Sequence, residues 1–175
     1  GRRRVTAVHK ATVMRATDGL FVEACREVAA AYDDIEFDDR LVDNACAKLV
    51  VRPQECDVLV MPMLYGDIVS DVAAGLIGGL GVAPGVNLGD EAAVFEAVHG
   101  SAPRHAGRGR ANPFALMLSG AMLLRHIGEP GAAERLEDAI ADVTREGRTL
   151  TYDLARNAEP ASTSEVADAV VARLR

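Results

Sequence analysis

Two aspartates four residues apart, Asp67 and Asp71, are the clearest candidates for chemistry in this sequence. They follow an apolar run, residues 58–62, which predicts a buried strand, and the Gly66-Asp67 pair predicts a break that leads into a helix. Residues four apart share one face of a helix, so the two carboxylates can offer oxygen ligands to a hard divalent cation. In the alternative interpretation, Asp67 is the N-cap of that helix and Asp71 lies on a solvated face. The spacing alone does not separate these two interpretations.

The composition excludes several classes of function. The chain has 175 residues, of which 49% are hydrophobic and 26% are charged, so we expect a globular protein. A net charge of −7 argues against a surface for nucleic acid, which needs clustered Lys and Arg. The longest uncharged apolar run, residues 72–86, is short and rich in glycine, and we expect no signal or membrane-spanning segment. Three cysteines without metal-ligand spacing predict reduced thiols and a cytoplasmic location.

Apolar periodicity predicts an alternation of strands and helices, which indicates the α/β class. Asn112 and Ser162 are predicted to cap helices, and Pro53 to end one. The glycines between residues 78 and 89 predict a loop. The predicted strands cover residues 5–9, 35–37, 58–62 and 93–97, and the predicted helices cover residues 18–32, 39–51, 67 onward, 113–126, 132–145 and 162–174.

Several motifs, in order along nearly the whole chain, resemble the C-terminal half of the isocitrate/isopropylmalate dehydrogenase family. They are VTAVHKATVMRATDGLF, LVDNACAKLVVRP, LYGDIVSDVAAGLIGGLGVAPG, FEAVHGSAP and ANPFALMLSGAMLLRH. The chain is most similar to isocitrate dehydrogenases, metal-dependent β-decarboxylating enzymes whose nucleotide-binding fold is not the Rossmann fold. The absence of G-x-G-x-x-G agrees with that. The resemblance implies that residues 1–53 belong to a small dimer-forming domain and residues 54–175 to a large cofactor- and metal-binding domain.

The resemblance also implies roles for individual residues near the metal. Asp67 and Asp71 match two ligands of Mg²⁺ or Mn²⁺, and Asp43 matches a third aspartate that reaches the metal of the neighbouring subunit. Lys10 matches a catalytic lysine that crosses into the partner's active site, where it would act together with Asp43. Without the motif, Lys10 would be interpreted as an ordinary strand-end lysine in solvent.

A second set of residues matches the dinucleotide site. His99 and the loop Gly100, Ser101, Ala102 and Pro103 match the segment that holds the adenosine, and Asn112 matches the residue that binds the adenine. Basic or hydroxyl-bearing residues that suit a 2′-phosphate predict NADP as the cofactor, and they are Arg104, His105, Tyr152 and Arg156. NAD is the alternative, because LYGDIVSD resembles NAD-dependent isocitrate enzymes and because the basic segment can be a solvated rim.

The implied activity is oxidative decarboxylation of a small 2-hydroxy acid, isocitrate to 2-oxoglutarate. Sibling enzymes acting on isopropylmalate, homoisocitrate or tartrate, and a non-catalytic subunit, are the alternatives. Thr12 and Met63 replace asparagines that are common in the family, which favours the non-catalytic alternative. The upstream half of the family, with the substrate clamp, is absent, so we expect an incomplete chain. We also expect a homodimer or higher oligomer that covers residues 42–51 and 75–81.

Overall fold

Parallel pairing of short strands organises the first of the two units into which the chain divides, Gly1–Leu76. The computed structural model describes residues 2–155 and 159–174. The central strand, β1 (Arg4–His9), pairs in parallel with β2 (Glu36–Leu41) on one side and with β3 (Val58–Val60) on the other. Parallel neighbours need crossover connections. These are supplied by α1 (Thr17–Ala29) and α2 (Val42–Val51), and α3 (Met63–Ile77) follows β3.

Several predicted boundaries in this unit are wrong. The predicted buried strand over residues 58–62 ends at Val60, and Val58 and Val60 are each 37% exposed. The predicted helix from Asp39 begins only at Val42, because all six residues of β2 pair with β1 and Asp39 is held by Arg26 and His9. The predicted break at Gly66-Asp67 does not occur, because the helix already begins at Met63. Asp67 is therefore an interior residue of α3 rather than its N-cap.

A hairpin and three helices form the second unit, Ile77–Arg175. Its strands, β4 (Pro84–Leu88) and β5 (Ala93–Ala97), pair antiparallel, and its helices are α4 (Phe114–His126), α5 (Pro130–Glu146) and α6 (Thr163–Val171). Phe114, Val143 and Val166 lie at the centre of a core shared by the three helices. Together the two units confirm the predicted α/β class. The expected domain boundary after residue 53 stays a prediction.

The glycine-rich segment, residues 78–89, is only partly the predicted loop. Gly78 and Gly79 have positive φ angles of 128° and 110°, which favour glycine. They precede a 3₁₀ turn, Leu80–Val82, and β4 occupies most of the remaining segment. Pairing with β5 outweighs the preference of the glycines for a loop, since each residue of β4 has a partner on β5.

Helix caps follow the sequence signals closely. The predicted Ser162/Glu165 capping box is present at the start of α6. Asn112 lies one residue before the actual N-cap, Pro113, but its Oδ1 still accepts the Phe114 N–H at 3.0 Å. Within residues 2–155 and 159–174, the helices are too short or too polar to cross a membrane.

Asp57 ties the start of β1 to the segment before β3. Its carboxylate accepts the backbone N–H groups of Arg3 and Arg4 at 2.7 and 2.9 Å, and the Arg2 guanidinium at 2.9 Å. These donors lower the pKa of Asp57 from 3.8 to about 2. The backbone N–H groups of Arg4 and Arg3 contribute most, and the Arg2 side chain contributes less. The ionised carboxylate therefore stabilises the folded first unit.

We expect Asp57→Asn to lower the urea midpoint of the first unit at neutral pH. Because the folded pKa lies below the unfolded one, the wild-type contribution is complete above about pH 5 and is lost as the pH falls toward 2. Urea unfolding of the wild type and of Asp57→Asn across this pH range measures the contribution. The control is Asp33→Asn, which changes an exposed loop residue of the same unit. A difference that stays constant down to pH 2 would contradict the assignment.

Candidate functional site

The carboxyl edge of the parallel sheet brings Lys10 and Asp43 together. Lys10 directly follows β1, and Asp43 lies in the first turn of α2, which follows β2. His9 pairs with Leu41, so the two strands end at the same level. Lys10 Nζ lies 2.6 Å from Asp43 Oδ1. This bond is the main cause of the lowered pKa of Asp43, and backbone N–H groups at the start of α2 add to it. Lys10 is thus an ion-paired, half-buried residue rather than a free lysine in solvent.

Asp67 and Asp71 both lie exposed on α3, one turn apart as predicted. Over residues 2–155 and 159–174, neither carboxylate takes part in an ion pair, and no three His, Cys, Asp or Glu side chains are grouped to hold a metal. Two exposed carboxylates with free oxygens are a donor set that suits Mg²⁺ or Mn²⁺. By themselves they are two ligands, so a metal site built on them would need further ligands from elsewhere.

A cavity of about 250 Å³ in the second unit collects most of the predicted dinucleotide residues. Pro103 and Arg104 lie in an adjacent 3₁₀ turn, Pro103–His105, and do not line the cavity. Arg156 lies outside the described residues. The predicted residues that do line the cavity are His99, Gly100, Ser101, Ala102, His105, Asn112 and Tyr152.

Tyr152 forms the centre of a stack at this cavity. Its ring lies 5.7 Å from the His105 ring at an interplanar angle of 24°, and the Arg110 guanidinium lies 4.7 Å from its centroid. The Nδ1 atom of His105 is buried and has no hydrogen-bond partner in the part of the chain that the structure describes. A buried polar atom without a partner is unfavourable. The Arg110 guanidinium beside the stack is a positively charged donor that can bind a polar ligand in the cavity.

Asp153 is a cavity residue that the sequence analysis missed. Its Oδ2 accepts Asn112 Nδ2 at 2.9 Å, and its Oδ1 accepts the Thr151 hydroxyl at 2.5 Å. The only signal for it was its place beside Tyr152 in the TYDLAR segment. Since Asn112 Oδ1 also binds the Phe114 N–H, the predicted adenine residue has much of its side-chain capacity engaged within the protein.

We expect Gly81→Ala to disturb this cavity. A Cβ at residue 81 would lie 2.6 Å from Asp153 Oδ2 and 2.9 Å from Asn112 Cβ, so both must move, at a cost of about 1–3 kcal/mol in unfolding free energy. Chemical denaturation measures the loss, and Asn112 amide chemical shifts measure the displacement. Gly120→Ala in α4, which meets no atom within 4 Å, is the control and should be neutral or stabilising. Equal behaviour of the two variants would contradict the packing argument.

A family model for isocitrate/isopropylmalate dehydrogenase matches residues 1–170, a range that includes the lysine, the aspartates and the cavity loop described above. The chain belongs to the isocitrate/isopropylmalate dehydrogenase family. The crystal structure of isocitrate dehydrogenase from Methylococcus capsulatus superposes with a TM-score of 0.95 at 55% identity, over 99% of this chain and 51% of that chain. The expected isocitrate/isopropylmalate dehydrogenase-like fold, other than Rossmann and present as one half, is confirmed.

Curated members of the family are also similar over nearly the whole chain. A mitochondrial regulatory subunit of the NAD isocitrate dehydrogenase from Dictyostelium discoideum is 49% identical over 99% of this chain and 49% of its own length. The mitochondrial α subunit of the human NAD enzyme is 53% identical over 90% of this chain and 43% of its own length. The chain therefore spans about half the length of these relatives.

The predicted cytoplasmic location is wrong by this comparison, because the relatives from Dictyostelium discoideum, Caenorhabditis elegans, Arabidopsis thaliana and human are all named as mitochondrial. The prediction depended on the three cysteines, Cys25, Cys46 and Cys56, which are free thiols in the structure. Reduced thiols are compatible with any reducing compartment, so they do not distinguish the cytosol from another one.

Proposed function

We propose that this chain supplies the metal ligands, the catalytic lysine and much of the cofactor site of an enzyme that oxidatively decarboxylates isocitrate to 2-oxoglutarate. The observation that carries the proposal is the ion pair between Lys10 and Asp43 at the carboxyl edge of the sheet. Edges of this kind are where open α/β sheets place their ligand sites. Family membership and the Asp67/Asp71 pair on α3 support it.

Lys10 would act on the substrate oxygen as a donor, in its ammonium form. Its ammonium group is fixed by Asp43 Oδ1 at 2.6 Å, so it is oriented before substrate arrives. From that position it can donate a hydrogen bond or a proton to an oxygen that becomes negatively charged. Asp43 holds Lys10 in its own subunit, and in the oligomer its second oxygen would be directed to the metal of the neighbouring subunit.

Asp67 and Asp71 would hold Mg²⁺ or Mn²⁺ together with substrate oxygens and the partner's Asp43. The bound cation would act as a Lewis acid toward the substrate oxygen during oxidation and during loss of CO₂. Because both carboxylates are on one helix, α3 fixes their spacing without a conformational change.

The cavity of the second unit would bind the adenosine end of the hydride acceptor, and we propose NADP as that acceptor. His105 and Arg110 provide donor and positive groups around Tyr152, as a 2′-phosphate needs, and Arg104 lies next to His105 in the adjacent 3₁₀ turn. NAD is the second candidate, because the curated relatives compared above are named as NAD enzymes.

A regulatory role in such an enzyme is the second candidate function. The Dictyostelium relative is named as regulatory, and Thr12 and Met63 depart from the usual asparagines. Retention of Lys10, Asp43, Asp67 and Asp71 favours the catalytic proposal instead.

One set of assays separates these candidates. The purified chain is mixed with Mn²⁺, NADP or NAD, and isocitrate, with and without an N-terminal half taken from a family enzyme, and absorbance of the reduced cofactor is followed. Turnover that requires the N-terminal half supports the catalytic proposal. Dinucleotide binding without turnover in the completed assembly supports the regulatory one.

The proposed assembly is an oligomer built on an apolar stripe of α3. Four large side chains at intervals of four residues are between 38% and 62% exposed, and they are Leu64, Ile68, Val72 and Leu76. Exposed apolar residues in this spacing are typical of a helix that packs against another helix. A second copy of the chain would cover this stripe.

We expect Ile68→Lys to convert an oligomer of the chain to monomer, because it places a charge in the middle of the stripe. Sedimentation velocity measures the change in mass. Leu88→Lys, at an exposed position of the hairpin in the second unit, is the control and should leave the mass unchanged. A wild-type chain that is already a stable monomer would contradict the proposed interface.

A further inference from the structure

Two buried polar side chains hold the backbone on either side of the Lys10 side chain. Asp18 is 6% exposed, and its Oδ2 accepts the Lys10 N–H at 2.7 Å. His9 is 7% exposed, and its Nδ1 accepts the Ala11 N–H at 3.1 Å. A buried carboxylate is unfavourable unless its oxygens are hydrogen-bonded, so the position of Asp18 has to be explained by what it binds.

Each of these side chains is fixed by a further contact. The Thr17 hydroxyl donates to Asp18 Oδ1 at 3.2 Å. Burial by itself would raise the pKa of Asp18, but the Lys10 N–H and the hydroxyls of Tyr65 and Thr17 outweigh it, so the pKa is lowered and the group stays ionised. Because His9 Nδ1 accepts a hydrogen bond, its proton is on Nε2, which donates to Asp39 Oδ2 at 3.1 Å.

The carbonyl group of Lys10 is fixed as well. It accepts the N–H groups of Val13 and Met14 at 2.8 and 2.9 Å in the turn that leads to α1. Both backbone groups of Lys10 are therefore held, and its side chain leaves this fixed point to reach Asp43. An ordinary strand-end lysine in solvent has no need of a buried carboxylate at its N–H.

We propose that Asp18 is a positioning residue for Lys10, whose charged hydrogen bond to the Lys10 N–H sets the point from which the ammonium group reaches Asp43. The catalytic role of Lys10 rests on the function proposed above. The positioning itself is a property of this chain alone and is measured without turnover.

The lysine content makes a direct measurement possible, since Lys10 and Lys48 are the only two lysines in the sequence. Both are half-buried and ion-paired, Lys10 with Asp43 and Lys48 with Glu55, so Lys48 serves as an internal reference. Acetylation of the 175-residue chain with an N-hydroxysuccinimide ester, followed by peptide mass spectrometry, gives the ratio of labelling at the two sites. Hydrogen exchange by NMR gives the protection of the Lys10 amide.

Asp18→Asn keeps the shape of the side chain and removes its charge. We expect the Lys10 amide to exchange about tenfold faster, as a charged hydrogen bond becomes a neutral one, and the Lys10-to-Lys48 labelling ratio to rise. The matched control is Asp57→Asn, which weakens the same kind of carboxylate-to-backbone contact at the opposite end of β1. It should change the Lys10 exchange rate much less than Asp18→Asn does, by no more than its general effect on the stability of the first unit, and should leave the labelling ratio unchanged.

Equal responses of Asp18→Asn and Asp57→Asn would overturn the proposal, since they would indicate loss of strand stability in general. Unchanged exchange and labelling at Lys10 in a folded Asp18→Asn chain would also overturn it. If that variant does not fold, Thr17→Val, which removes only the 3.2 Å contact to Asp18, should raise both readouts by a smaller factor, and its failure to do so counts equally against the proposal.

Discussion

Asp67→Asn is expected to lower kcat/KM for isocitrate on the order of a thousandfold in the assembled enzyme. The asparagine keeps the size of the side chain and one oxygen, but it removes the charge that would hold the cation next to the developing negative oxygen. Initial rates at saturating Mn²⁺ measure the effect, and the electron paramagnetic resonance signal of free Mn²⁺ measures binding in the same samples.

Asp90→Asn is the control for this experiment, because Asp90 is an exposed residue of the turn between β4 and β5. It should leave both Mn²⁺ binding and kcat/KM unchanged. An Asp67→Asn enzyme that keeps wild-type Mn²⁺ binding and turnover would exclude Asp67 as a metal ligand.

The combined change Arg104→Asp and His105→Ile is expected to shift the preference from NADP toward NAD on the order of a hundredfold or more. It removes two groups that can bind a 2′-phosphate, each worth about 1.5–3 kcal/mol when the hydrogen bond is charged. It also adds a carboxylate that repels phosphate and can accept the 2′-hydroxyl of NAD. The measurement is kcat/KM for each cofactor.

Arg108→Asp is the matched control, because it places the same charge change in the same basic segment but outside the positions that the resemblance assigns to the cofactor site. It should change the NADP-to-NAD ratio much less than the double variant. A wild-type ratio that already favours NAD would overturn the NADP assignment and agree with the names of the curated relatives.

Residue periodicity predicted most elements of the first unit, but not all of their bounds. The pattern around Val5–His9 gave β1, and a spacing of four gave the shared face of Asp67 and Asp71. It located β2 but ended the strand four residues early, since the sequence EFDDRL has no clear apolar alternation. Contacts far along the chain, from Arg26 and His9 to Asp39, satisfy that polar strand, and they are not visible in a local pattern.

Sequence motifs likewise located some residues of the candidate sites and missed others. Motif matching located Lys10, Asp43 and most of the cavity residues, because these positions are tied to short segments. It missed Asp18, Asp57 and Asp153, whose importance comes from backbone and side-chain donors that only folding brings near. A carboxylate that binds a distant N–H has the same local sequence as one that is solvated.

The parallel ladder between β1 and β2 also has a practical consequence for protein engineering. Pairing from Arg4 with Glu36 to His9 with Leu41 fixes the level of the two strand ends, whatever the length of the chain that connects them. Residues 30–34, between α1 and β2, are largely exposed and outside both elements. A peptide tag or a spectroscopic label inserted there should be accommodated with the Lys10–Asp43 spacing intact, which makes this loop a suitable attachment point for surface immobilisation.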